Sequence, residues 1–218
     1  MISLDEIREQ PDVLQKWLDT RMEYARSIAA EIRHRGIEYV YLAARGTSDH
    51  AGIYAQYVWG ALAGLPVALA TPSLFTLYRT PPRLEKALVV GISQSGESPD
   101  IVQVIEEGRR QGASTIALTN TSQSPLEKAA EFNLNLDTRP ERAVAASKTY
   151  TAELLAVAAL GSLLSGKEEM VDSLRDVPIA VRRTLALEPE IEQIAARYTG
   201  LTNCLVIGRG YNLSLIHI

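Results

Sequence analysis

Cysteine is almost missing from this chain of 218 residues: Cys204 stands alone, which excludes an internal disulfide, and its apolar setting NCLVIG predicts a buried strand residue. Histidine is nearly as sparse. His34, His50 and His217 are isolated and lack metal-ligand spacing, so neither a metal nor a cofactor is expected. Long apolar runs are also absent. The most apolar stretch, LLAVAALGSLL at 154–164, falls short of the roughly 20 residues a bilayer span needs and reads as a buried helix. The amino terminus, MISLDEIREQ, has no basic start followed by an apolar run, so nothing in it signals export and a cytoplasmic location is expected. No basic block and no interleaving of basic and aromatic residues accompanies the formal charge of -4, which makes nucleic acid and anionic membrane poor partners. An anionic small molecule would have to be captured by local geometry.

What is present is an ordinary globular balance, 46% hydrophobic and 22% charged, with strands and helices in alternation. Ser3 and Glu6 fit a helix-opening capping box, and a helical period runs over 11–35 as far as Gly36. Residues 1–35 are therefore a helical lead-in. EYVYLAA then reads as a strand, 48–62 as a helix, PVALA as a short strand and ALVVGIS as a fully buried one. A helix over 99–110, the strand STIALT, a short helix near 126–130 and the strand FNLNL follow. Short apolar strands separated by amphipathic helices predict an α/β fold, a parallel sheet covered on both faces, over 36–166 and closed by a helix over 145–164.

After Gly166 the pattern becomes helical and charged, a connector over 167–200. The order apolar strand, small residue, Arg, Gly, polar pair in YLAARGTS recurs in LVIGRGYN, so 201–212 reads as the start of a second copy of the domain. The last six residues, 213–218, can be back-translated to a sequence resembling a transposon end used in preparing DNA for sequencing. They are expected to be an artefact on a truncated gene, the alternative being a genuine short carboxyl terminus.

The chemistry concentrates in three loops. SQSGES, at 93–98, lies beyond the carboxyl end of a buried strand, the side where ligands sit on parallel sheets. Ser98 suits an N-cap and Pro99 the first helical turn, so free N–H groups of a helix point back toward the loop, as at an anion site. Ser93, Ser95, Ser98 and Gln94 can donate to phosphate oxygens, and Gly96 lets backbone approach closely. RGTSDH supplies Thr47 and Ser48 after the first strand, and AVAASKTYT supplies Ser147, Lys148 and Thr149 before the long helix. A phosphate monoester fits these loops better than a nucleotide, because neither a P-loop nor a dinucleotide fingerprint is present.

These motifs resemble the sugar isomerase (SIS) domains. SQSGES is similar to that family's SQSGET phosphate loop and RGTS to the CGTS loop of glucosamine-6-phosphate synthases. The resemblance implies a three-layer sandwich around a five-stranded parallel sheet, usually present twice per chain and assembled into homodimers or larger homo-oligomers. It implies that Thr47, Ser48, Ser93, Gln94, Ser95, Gly96, Ser98 and Ser147 hold the phosphate and nearby hydroxyls of a sugar phosphate. It further implies that no catalytic residue lies in this chain, the family's Glu, His and Lys coming from a second domain and a partner subunit. VAASK, where the synthases carry VASTK, is closer to stand-alone amino-sugar-phosphate deaminases and isomerases, whereas EIREQPDVL resembles the linker of the synthases. Ile2 stands where their glutaminase nucleophile would be. The complete protein is expected to be an aldose-ketose isomerase or deaminase acting on glucosamine 6-phosphate, fructose 6-phosphate or a close relative. The isomerase part of a glutamine–fructose-6-phosphate aminotransferase and a non-catalytic sugar-phosphate sensor remain the alternatives.

Overall fold

The arrangement of the site follows from how the strands divide their side chains, as seen in a computed structural model that describes residues 2–143 and 146–215. In β3, Ala87–Ile92, every residue is buried. Leu88, Val90 and Ile92 belong to one apolar cluster, whereas Ala87 and Val89 belong to another. This is the period of two that a strand imposes when both faces of its sheet are covered. The same division holds in β1, Tyr39–Ala43, with Val40 and Leu42 on one side and Tyr41 and Ala43 on the other.

Five parallel strands run in the order β2-β1-β3-β4-β5, with β2 at Val67–Leu69, β4 at Ser114–Thr119 and β5 at Phe132–Asn135. The expected α/β fold with its five-stranded parallel sheet is therefore present. Three long helices share the first cluster: α1 (Ile2–Arg33), α2 (Thr47–Ala63) and α6 (Lys148–Ser165). Trp17 of α1 and Trp59 of α2 are fully buried there, and each indole N–H finds a backbone carbonyl, Asn135 at 3.1 Å and Val157 at 2.7 Å. The other face is covered by α3 (Ser73–Thr76), α4 (Pro99–Arg110) and α5 (Pro125–Ala129). The chain leaves β1 through α2 on one face and leaves its neighbour β3 through α4 on the other, which opens a crevice between their carboxyl ends, at Ala43 and Gly91 in register.

Three expectations need correction. The lead-in helix does not open behind a capping box at Ser3 and Glu6 but runs unbroken from Ile2 through Pro11, and both positions lie inside it. The Glu6 carboxylate is buried and accepts the N–H groups of Arg142 and Ala143 at 2.6 and 2.9 Å. The closing helix starts at Lys148, not 145; residues 144 and 145 lie outside the described ones. The run CLVIGRG forms no strand, and Cys204 is exposed, as are Leu205 at 85% and Ile207 at 84%. The run pairs with neither edge of the sheet, β2 or β5, so its side chains have no surface to bury against.

Beyond α6 the chain continues as α7 (Glu168–Ser173), a single 3-10 turn, α8 (Val177–Leu185) and α9 (Glu188–Ala196). Of the six terminal residues, 216–218 lie outside the described ones. No helix among the described residues is long and apolar enough to cross a membrane.

Candidate functional site

The crevice between β1 and β3 narrows to a cavity of about 210 Å3. Thr47, Ser48, Ser93, Gln94, Ser95 and Ser98 line it, together with Arg45, Ile101, Ala146 and Glu153. Six of the eight residues singled out from the sequence are thus brought together from two loops about 50 positions apart.

The loop after β3 is held by its own backbone. Ser93 N–H continues the sheet ladder to the carbonyl of Leu118 at 3.0 Å. The carbonyl of Gln94 accepts from Asn120 N–H at 3.0 Å, from Thr119 Oγ1 at 3.2 Å and from Thr121 Oγ1 at 3.4 Å. Ser93 Oγ accepts Gly96 N–H at 3.1 Å, and Ser95 Oγ accepts Glu97 N–H at 3.3 Å. A hydroxyl that accepts on its oxygen keeps its proton for donation elsewhere, so both serines are set up as donors. Ser98 occupies the N-cap position of α4 but makes no side-chain cap bond, which leaves its hydroxyl to the cavity as well. On the facing side, Gly46 precedes α2 with φ 59° and ψ -131°, a conformation open to glycine, and this turn delivers Thr47 and Ser48 as the first two helical residues.

Gly96 and Ser147 are placed differently. At Gly96, φ is +66°, and an added Cβ would come within 2.3 Å of Ser124 Oγ, so its missing side chain faces the loop after β4 instead of the cavity. Ser147 turns both N–H and hydroxyl to Glu141, at 2.7 and 3.1 Å, and the same carboxylate accepts Lys148 N–H at 3.1 Å and Thr149 N–H at 2.9 Å. The anion-binding end of α6 is therefore filled by Glu141. Lys148 is buried and reaches Glu9 at 2.8 Å and Glu6 at 3.6 Å.

Sequence reasoning missed Glu153. Only 1% exposed, it accepts the Ser48 hydroxyl on Oε1 at 2.7 Å, while its Oε2 is buried without a hydrogen-bond partner. Burial pushes its carboxyl up to about 8; the Ser48 hydrogen bond works against this and the negative charge of Glu141 adds to it. A signal was present: Glu153 is the one acidic residue of α6 and directly precedes its apolar run LLAVAAL. Among the described residues that line the cavity the one cation, Arg45, pairs with Asp100 at 3.2 Å.

Among the described residues no cluster of three or more His, Cys, Asp or Glu is arranged to hold a metal ion. The pattern of the SIS domain matches residues 36–163, which include both crevice loops. Over 214 residues, 96% of this chain, the sequence is 35% identical to glutamine–fructose-6-phosphate aminotransferase [isomerizing] of Aquifex aeolicus, of which it covers 35%. The chain thus spans about a third of the length of the curated relatives it matches. A solved candidate phosphosugar isomerase from Silicibacter pomeroyi DSS-3 superimposes with a TM-score of 0.91 at 32% identity, over 97% of this chain and 64% of that one. More distant is the NanR protein of Vibrio vulnificus, solved with ManNAc-6P, at a TM-score of 0.62 and 20% identity over 84% of this chain and 70% of that one. With the family's pattern over more than half of its length and a sheet that superimposes on its relatives, this chain belongs to the SIS domain family.

Proposed function

We propose that the crevice binds the phosphate of a sugar phosphate. The observation that carries this reading is the convergence of Ser93, Ser95, Ser98, Thr47, Ser48 and Gln94 on one cavity at the switch point between β1 and β3. Ser93 and Ser95 are already held as outward donors by the loop's own N–H groups. The ligand class is supported by the aminotransferase relatives and by the ManNAc-6P held in the NanR structure.

The complete protein is an isomerase-type enzyme acting on an amino-sugar 6-phosphate, shuttling a proton between C1 and C2. That chemistry needs a group with a suitably tuned pKa beside the reacting carbon. The hydroxyl-lined cavity supplies a handle for the phosphate, and the acid-base groups belong to a part of the protein outside this chain. The 35% identity to an isomerizing aminotransferase favours its isomerase half as the nearest alternative to a stand-alone deaminase.

Calorimetric titration with fructose 6-phosphate and glucosamine 6-phosphate tests the binding step. Loss of one charge-assisted hydrogen bond costs roughly 1.5–3 kcal/mol, so Ser95→Ala is expected to weaken binding by about one to two orders of magnitude. Unchanged affinity in a folded Ser95→Ala protein would remove Ser95 from the site.

A further inference from the structure

A carboxyl group facing an anion site is an obstacle if ionised and an asset if neutral. Glu153 lies at the wall of the cavity, 1% exposed, with one oxygen 2.7 Å from Ser48 and the other without a hydrogen-bond partner among the described residues. Ser48 is itself buried. Together the two side chains hold two hydrogens when the acid is neutral and one when it is ionised. The 2.7 Å contact consumes one of them in either state. Only the neutral acid leaves a second hydrogen for a ligand, either from Ser48 or from the unpartnered oxygen.

We propose that Glu153 is a positioning residue that must keep its proton for the anion to bind: the neutral acid frees a hydrogen of the Ser48–Glu153 pair for the ligand, and the ionised acid withholds it. This inference rests on the reading of the cavity as a phosphate site. An ionised Glu153 would also put a second negative charge against the phosphate in a desolvated wall, where such charges interact strongly.

The surrounding charges do not neutralise Glu153. From α1, Glu6 and Glu9 meet Lys148. The loop before α6 contributes Glu141, whose charge opposes ionisation of Glu153. Arg45, after β1, is committed to Asp100 of α4. Asp49 and His50 follow Ser48 in the first turn of α2, and Tyr54, whose hydroxyl is pushed up by burial, lies further along the same helix. The upward displacement of the Glu153 carboxyl to about 8 places the transition within reach of a binding experiment.

The probe is fructose 6-phosphate, which carries no amine and whose phosphate, with a second pKa near 6, is a dianion throughout the range pH 7–9. Linkage then predicts about a tenfold loss of affinity from pH 7 to pH 9 and uptake of about half a proton per ligand at pH 8. The uptake is read by calorimetry in buffers of different ionisation enthalpy. Glu153→Gln keeps a neutral donor and cannot titrate, so its affinity is expected to be equal at pH 7 and pH 9. A pH-dependent loss that persists in Glu153→Gln would belong to another group, His50 among them, and would overturn the proposal. If that variant does not fold, the proton count on the unaltered chain still decides: binding without proton uptake overturns the role of Glu153 and leaves the phosphate site standing. No binding at any pH overturns both.

Discussion

Glu153 also matters to the chain without a ligand. Its carboxyl is raised in the folded state, to about 8, and has an ordinary value of about 4.5 when unfolded. Below that ordinary value both states hold the proton and nothing is lost. Between it and about 8 the unfolded chain releases the proton while the folded chain keeps it, so stability falls as pH rises, by at most about 1.4 kcal/mol per unit. Thermal melts from pH 5 to pH 8 should therefore slope downward more steeply for the natural chain than for Glu153→Gln; parallel slopes would contradict a buried neutral acid. At this scale the sequence was most legible where a residue type has one use. The hydroxyls of 47, 48, 93, 95 and 98, singled out as small donors beyond the ends of two strands, do line one cavity. Ser147 carried the same signal but serves a different partner, because Glu141, six residues upstream, reaches the same helix end first. Glu153 escaped because its meaning depends on Ser48, which is distant in sequence.

The helices and strands were legible almost to the residue wherever periodicity and end signals agreed. Helix α4 begins at Pro99 and ends at Arg110, as Ser98, Pro99 and the apolar spacing indicate, and β4 coincides with STIALT. Helix α1 departs from its expected opening at Ser3, which lies inside the helix, and it accommodates Pro11 because its buried face is fixed by Val13, Leu14 and Trp17. The close packing of α2 on α6 had no sequence signal at all. At Gly161 an added Cβ would lie 2.5 Å from Trp59 Cδ1, and that indole is fixed by its bond to Val157. Overpacking of this kind costs about 1–3 kcal/mol, more than the roughly 1 kcal/mol that alanine gains over glycine in a helix. Gly161→Ala is therefore expected to lower stability in chemical denaturation. Gly60, in α2 with open space around it, is the contrasting case, and Gly60→Ala should leave stability equal or raise it. The opposite order would refute the packing argument.

On the scale of the whole molecule, the α/β architecture was readable because alternation of strand and helix has few solutions, whereas the segment 201–209 was not. Its apolar pattern suits a strand, yet a strand exists only as part of a ladder, and no edge receives it. Helix α9 likewise buries none of its residues. On the function proposed above, the 218-residue chain is expected to bind sugar phosphate but to show no turnover of glucosamine 6-phosphate, or of fructose 6-phosphate with ammonia, in a coupled assay; measurable turnover would place the acid-base groups within this chain. The threefold acceptance at the Gln94 carbonyl and the interlock of Gly96 with Ser124 have a kinetic meaning beyond the shape they give the loop. A cradle that is braced from behind before the ligand arrives has little conformational freedom to surrender on capture. On the proposed function, encounter, and not rearrangement of that loop, is then expected to set how fast a sugar phosphate is taken up, and differences in affinity among ligands to appear in how long each one stays.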